Sequence, residues 1–405
     1  MARTLRTLLC LLLIPGLFAG CSEDEPVVVG VVLPLTGEFA IYGEPIRRGI
    51  EVALEELEAQ EDYPYPLDLR ILDSESDPQT AAEKLSELYD AGAPAVIGGV
   101  TTGEALAMVE IADQRDRVLL SPSASSPQLT GVSTNFFRVF PSDFEEGTKM
   151  GYFATQTLNV DEVVIAAAES QYAKGIQQVF EQEIARNGGT VTEVVEYPPN
   201  TEDLGGVIDR IMTLSPQAVY LADYAPGLAN LISGLAQRGY DGTILSTSSI
   251  ATPEFVESAG DAANGVLFTQ SNYDVTSEEP HIQQFVERFQ EEYGKVPDLY
   301  AAHGYDAMRI YGRALVEGGG RRPSSFWQGM RGIAGFPGVT GPIQFDEQGD
   351  VQKFPRVYVI RGDDFVDYDR VLAERRRQLE DRRRAIQERM KALERQQRGL
   401  RDTDG

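Results

Sequence analysis

Val27-Val28-Val29-Gly30-Val31-Val32-Leu33-Pro34-Leu35 is a continuous apolar run, rich in β-branched residues, of the length of one buried strand. The residues after it set the fold class. Gly43-Glu44-Pro45 opens a predicted helix, with proline in its first turn, that runs to about Glu58 with Ile46, Ile50, Ala53, Leu54 and Leu57 at helical spacing. Leu67 to Leu72 reads as the next strand. Asp77-Pro78 supplies the cap and first turn of a helix ending near Asp90, followed by strand Ala95 to Val100, a helix from about Gly103 and strand Val118 to Ser121. Strands alternating with amphipathic helices predict a parallel sheet covered on both faces.

After Phe140-Pro141-Ser142-Asp143 a second series begins. A helix to about Leu158 leads to strand Glu162 to Ala168, helix Lys174 to Asn187 and strand Thr190 to Glu196. Helix Leu204 to Leu214, strand Ala218 to Ala222, helix Gly227 to Arg238 and strand Thr243 to Ser246 complete it. Two parallel sheets in tandem predict an α/β protein of two lobes. Ligands of open α/β sheets sit beyond the carboxyl ends of the strands, so two facing lobes place a ligand in the cleft between them.

The ends of the chain read differently. Arg3 and Arg6, the apolar stretch Leu8 to Phe18, and Leu17-Phe18-Ala19-Gly20-Cys21 form a secretory leader that resembles the lipobox of bacterial lipoproteins. The resemblance implies cleavage after Gly20, leaving residues 1–20 as signal peptide, and acylation of Cys21 as a lipid anchor in the cell envelope. The apolar stretch is shorter than the ~20 residues a bilayer core needs. With Cys10 leaving in the leader, the mature chain has no second cysteine for a disulfide. Residues 370–401 repeat Leu372, Leu379, Ile386, Leu393 and Leu400 every seven positions among Arg, Glu and Gln, which predicts a charged helical tail with one narrow apolar stripe. Arg376, Arg383 and Gln397 occupy the places a second stripe would need, so strong coiled-coil pairing is not expected.

Composition is that of a globular protein, 42% apolar and 24% charged, with a net charge of −27. The two leader arginines and a surplus of five positive charges from Arg370 onward leave −34 on residues 21–369. Such a body repels nucleic acid and anionic lipid alike, which leaves the anchor as the expected link to a membrane. Only six of the 36 basic residues are lysine. This fits either a high-salt habitat, where screening relieves self-repulsion, or an ordinary acidic exported protein.

Several motifs now carry a family resemblance. Val31 to Gly37 with Tyr42-Gly43, Asp77-Pro78, Ile97-Gly98-Gly99-Val100-Thr101-Thr102-Gly103 and Ser121-Pro122-Ser123-Ala124-Ser125-Ser126-Pro127 resemble the ABC-transporter substrate-binding proteins of the leucine/isoleucine/valine type. Gln171 to Gly175, Ala218 to Pro226, Ala259 to Gly265 and Ala302 to Ala307 extend the match over about residues 27 to 368. The order and spacing of these motifs, more than any one of them, carry the likeness. It implies the type I periplasmic-binding-protein fold: two Rossmann-like lobes joined by three hinge crossovers, near Pro141, Gln270 and Asp350. The first lobe would comprise residues 27–141 and 271–349, and the second 142–270 and 350–368. It implies capture of a small polar metabolite, a branched-chain or other amino acid or a related carboxylate or amide, for an ABC permease in the inner membrane. No cofactor is implied. A ligand-sensing receptor on the same fold is the alternative.

Thr101 and Thr102 precede a predicted helix, whose free N–H groups and dipole favour an anion such as a carboxylate. By the resemblance Thr102 gives a hydroxyl and an amide to that carboxylate. Ser123, Ala124 and Ser125 surround the head group with a carbonyl and a hydroxyl, and Tyr42, Tyr172 and Tyr224 line the cleft. Read from the residues alone, Thr102 caps its helix and the serines make a turn. The family's amino-acid binders carry an ammonium-pairing acid after the strand ending at Leu245, where this chain has Ser246-Thr247-Ser248-Ser249, with Ser248 at or near that place. Two resolutions stay open: Asp223 reaches the ammonium from the neighbouring strand end, or the ligand has no ammonium.

An enzyme is not expected. His281 and His303 are the only histidines, and no HExxH, GxSxG, P-loop or cysteine-rich metal spacing occurs. Gly98-Gly99 lacks a GxGxxG frame and reads as a tight strand-to-helix turn.

Overall fold

A computed structural model describes residues 25–401, and side chains as far as residue 393; Cys21 and its expected acylation lie outside the described residues. The opening run forms β1 (Val27–Leu33), six of whose seven residues are buried. It pairs in parallel with β2 (Leu67–Asp73) on one side and β3 (Ala95–Gly98) on the other; β4 (Val118–Ser121) and β5 (Phe136–Arg138) complete a parallel sheet in the order β2-β1-β3-β4-β5. Successive strand residues feed opposite faces. Val32, Val96, Leu119 and Phe136 pack under the helices Pro78–Asp90 and Thr102–Arg115, while Val31, Ile97, Leu120 and Phe137 join the main core under the helices Ala40–Glu58 and Leu299–Gly318.

The second lobe repeats the plan. β6 (Glu162–Ala168), β7 (Thr190–Tyr197), β8 (Ala218–Ala222), β9 (Thr243–Ser246) and β10 (Leu267–Gln270) lie in the order β7-β6-β8-β9-β10, the same winding as in the first sheet. The chain then returns to the first lobe for the helices Pro280–Tyr293, Leu299–Gly318 and Pro323–Gly332 and a small ribbon of β11 (Phe336–Gly338) and β12 (Gly341–Ile343). It comes back as β13 (Arg356–Arg361), antiparallel to β10, and β14 (Asp364–Asp367), antiparallel to β13, so the second sheet is mixed at one edge.

Three connections therefore join the lobes, at 139–142, 271–279 and 352–355, and each is tied by a buried polar contact. Arg138, with no exposed surface, grips both oxygens of Asp350 at 2.7 Å and also donates to the Ser126 carbonyl and Thr130 hydroxyl. Lys353 donates to the Val139 carbonyl at 2.9 Å, and Ser271 bonds the ring of His303 at 2.8 Å.

Two sequence boundaries move for physical reasons. The first helix starts at Ala40, not Gly43, because the Tyr42 and Gly43 N–H groups already close onto the Phe39 carbonyl; Pro45 then falls inside the helix. The third begins at Thr102, because Thr101 and Glu104 close a reciprocal capping box: Thr101 Oγ1 accepts from the Glu104 N–H and the Glu104 carboxylate from the Thr101 N–H. The tail is a helix over Tyr368–Arg401, about 51 Å long at 1.5 Å per residue. Its root is seated by Tyr368 against Phe153 and by buried Val371, whereas Leu379, Ile386, Met390 and Leu393 are exposed.

The helices Ala40–Glu58 and Leu299–Gly318 touch backbone to backbone at Gly49, where a Cβ would stand 1.9 Å from the Ala301 carbonyl oxygen. Gly49→Ala is expected to cost about 2 kcal/mol or more in urea unfolding. Gly206, exposed in the helix Gly205–Leu214 with open space around it, serves as the control: Gly206→Ala is expected to stabilise by about 0.5–1 kcal/mol. Equal stability of the two variants would contradict this view of the crossing.

Candidate functional site

Both sheets reverse their winding at the first strand of the lobe, β1 in one and β6 in the other, and each reversal leaves a crevice at the carboxyl ends beside that strand. The chain after β1, β3 and β4 carries Tyr42, Thr102 and Ser123 to Ser125. The chain after β6, β8 and β9 carries Tyr172, Tyr224 and Ser248. These eight residues meet around one cavity, together with Val100, Phe140, Ser249 and Tyr300. It is nearly closed, leaving about 20 Å³ for the centre of a water-sized sphere.

Tyrosine hydroxyls close it. Tyr42 accepts from the Ala225 N–H at 2.8 Å and donates to the Ser249 carbonyl at 3.2 Å, while Tyr300 donates to the Ser248 carbonyl at 3.2 Å. Tyr224 accepts the Thr102 N–H at 3.3 Å. All four bonds run between lobes. Tyr172 instead bonds Thr247 within its own lobe and stacks on Tyr224, with ring centres 4.7 Å apart. Burial pushes the Tyr42, Tyr172, Tyr224 and Tyr300 hydroxyls well above the usual phenol range, so they stay protonated donors.

The Thr102 side chain differs from its neighbours. As the first residue of its helix it does not cap, that role being Thr101's, and its Oγ1 is buried in the cavity wall with no hydrogen-bond partner among the described residues. The helix N-terminus adds a partial positive charge there. Ser123 turns its hydroxyl to the Val100 carbonyl at 2.7 Å, and the Ser125 carbonyl accepts the Asp143 N–H at 2.8 Å, so the first supports the loop and the second is engaged by the start of the helix Asp143–Gln156.

Two of the expected residues do not line this cavity. Thr101 is absorbed in its capping box and does not line the cavity. Asp223 points away from it, because its carboxylate accepts the Tyr224 N–H at 2.7 Å and the Tyr197 hydroxyl at 3.1 Å, which turns it toward a separate surface pocket beside Tyr197 and Asn200. Burial raises its pKa to about 6.

The sequence reading missed two acids just behind the wall. Asp143 and Glu146, one turn apart at the start of the helix Asp143–Gln156, have no exposed surface. Burial raises Asp143 to about 7 against the pull of Ser125 and Arg138. Burial and repulsion from Asp143 raise Glu146 to about 8, although the Ser248 N–H and Thr269 hydroxyl both donate to it at 3.3 Å. Among the described residues no cluster of histidines, cysteines and acids could hold a metal ion, and no helix is long and apolar enough to cross a membrane.

A family model for periplasmic binding proteins matches residues 26–364. A Leu/Ile/Val-binding protein homologue of Brucella abortus is 24% identical over 335 residues, 82% of this chain and 89% of its own length. A crystal structure of a leucine-binding protein from Thermotoga maritima superposes with a TM-score of 0.79 at 29% identity, covering 84% of this chain and 97% of that one. A solute-binding protein of an ABC transporter from R. palustris, in complex with benzoate, shares the fold with a TM-score of 0.77 at 21% identity, over 85% and 95% of the two chains.

The acid pair makes the stability of the ligand-free protein depend on pH. From ordinary values of 3.8 and 4.5, both carboxyls rise on folding, so between those values and about 8 the folded state holds more protons and unfolding free energy falls as pH rises. Replacing Asp143 by Asn and Glu146 by Gln together is expected to flatten that fall by at least about 1 kcal/mol between pH 5 and 8. Asp223 and Asp298, raised to about 6 and about 7 by burial, act with the same sign and leave a residual slope. Denaturant midpoints across that range give the measurement, and an unchanged slope would contradict the burial argument.

Proposed function

The chain belongs to the periplasmic binding protein family, and on that premise we propose that it is the extracytoplasmic substrate-binding component of an ABC importer. Residues 27–141 with 271–349 act as one lobe and 142–270 with 350–368 as the other, closing on a small polar metabolite: a branched-chain or other amino acid, or a related carboxylate or amide. One observation supports this most. Eight of the ten predicted residues, at the strand ends of two lobes, converge on a single cavity, and interlobe bonds to tyrosine hydroxyls ring it.

The mechanism is differential contact. A ligand carboxylate at the first turn of the helix Thr102–Arg115 meets the Thr102 hydroxyl, its N–H and the helix dipole, while Tyr172, Tyr224 and Ser248 reach it only when the lobes close. Contacts made in the closed state alone shift the population toward that state. Ser123, Ala124 and Ser125 complete the first-lobe wall. Acylated Cys21 would hold the domain beside the permease.

Thr102→Ala and Tyr172→Ala are each expected to weaken binding by about 1 kcal/mol or more without unfolding the protein, as read by calorimetry with the tightest ligand from a thermal-shift screen of amino acids, short carboxylates and amides. Unchanged affinity in both variants would remove the cavity assignment. Cys21→Ser is expected to move the protein from membrane to soluble fractions; palmitate labelling that persists in that variant would refute the anchor.

A further inference from the structure

Asp143 and Glu146 form a buried acid pair to which the fold assigns no cation of its own. Both Asp143 oxygens and Glu146 Oε1 are buried with no hydrogen-bond partner among the described residues, and Glu146 Oε2 has only the two 3.3 Å contacts. The neighbouring guanidinium, Arg138, is committed to Asp350, Ser126 and Thr130. A desolvated carboxylate left in that condition takes up a proton or a cation.

Position says which. The Asp143 N–H holds the Ser125 carbonyl, and Glu146 holds the Ser248 N–H; Ser125 and Ser248 line the cavity from opposite lobes. Charge on both acids also reaches the Tyr172 hydroxyl in the same wall. An independent feature marks another part of the cavity: the unpartnered Thr102 hydroxyl, 1% exposed, at the anion-favouring end of its helix. The cavity is thus polarised, positive toward Thr102 and negative toward Ser125 and Ser248.

We propose that Asp143 and Glu146 are the counter-charge for an ammonium group of the captured ligand, which therefore carries an amine as well as a carboxylate. The inference rests on the cavity being the capture site and narrows its ligands to zwitterions. The acids lie behind the serines, so the amine enters between Ser125 and Ser248 as the cavity widens to admit a ligand. The opening turn of the helix Asp143–Gln156 offsets part of the cost of keeping both acids there unpaired.

The test uses the full chain and paired probes, each of the common α-amino acids beside the acid that lacks its amine: L-leucine with 4-methylpentanoate, L-alanine with propanoate, and so on. Binding is expected only from the amine-bearing members, and the best of them should lose at least ~10-fold affinity in both Glu146→Gln and Asp143→Asn. Neither variant should melt below the parent at pH 8, since each removes an unpaired buried charge. The comparison within the parent protein needs no variant and so survives a folding defect. An amine-free acid binding as tightly as its amino acid, or an amino acid whose affinity falls in Thr102→Ala but holds in both acid variants, overturns the counter-charge and leaves capture standing. Binding by no probe of either series overturns the counter-charge, and a short amide that then binds leaves capture standing.

Discussion

Arg138 and Asp350 form the contact on which the two-lobed arrangement turns. A guanidinium with no exposed surface pins the first connection between the lobes to the third, with two parallel 2.7 Å bonds and two further acceptors for its remaining donors. Removing one partner of such a pair would strand a buried charge at a cost of about 3–5 kcal/mol. The hinge therefore has a fixed pivot. Lys353 on Val139 and His303 on Ser271 brace the same region.

Against that pivot the closed state is held lightly. Four interlobe bonds from tyrosine hydroxyls, each worth about 0.5–1.5 kcal/mol net, oppose the freedom of the open state, and ring contacts such as Tyr42 with Tyr300 add to them. A protein closed by its own hydroxyls gives a ligand little advantage unless the ligand adds contacts of its own. The Thr102 amide makes this concrete: Tyr224 already accepts its proton, so an incoming carboxylate competes with a phenol for that donor and gains chiefly through charge and the unpartnered Thr102 hydroxyl.

Much of this architecture was legible in the chain, for physical reasons that also mark where legibility ends. Runs such as Val27 to Leu33 announce strands because a parallel sheet buried on both faces leaves no polar alternation to interpret. Three-residue β5 and four-residue β14 are too short to stand out from loops, whereas β13, with Val357 to Ile360 apolar and buried, was readable in principle. The start of the helix at Thr102 was readable in principle, since Thr101 with Glu104 is a capping box written in sequence. Asp223 misled because a side chain's direction depends on its local partners, here the next N–H and Tyr197 at the end of β7. Asp143 and Glu146 were invisible for a different reason: among 63 acidic residues, position alone cannot tell a buried acid from a solvated one.

That distinction gives the acidity of the chain two meanings. Most of its acids lie in water, where screening makes them cheap and their effect is long-ranged repulsion of anionic surfaces. Asp143 and Glu146 instead sit where each ionised oxygen costs stability, and the fold places no cation on them although Arg138 lies close by. A protein selected for stability alone would carry apolar or amide side chains there, as buried charge is readily replaced without loss. Keeping them uncompensated favours whatever cation enters the cleft. On this view the charges at the lobe crossings, Arg138 with Asp350, are paired within the fold, while the acid pair beside the cleft is left for a ligand's cation to complete.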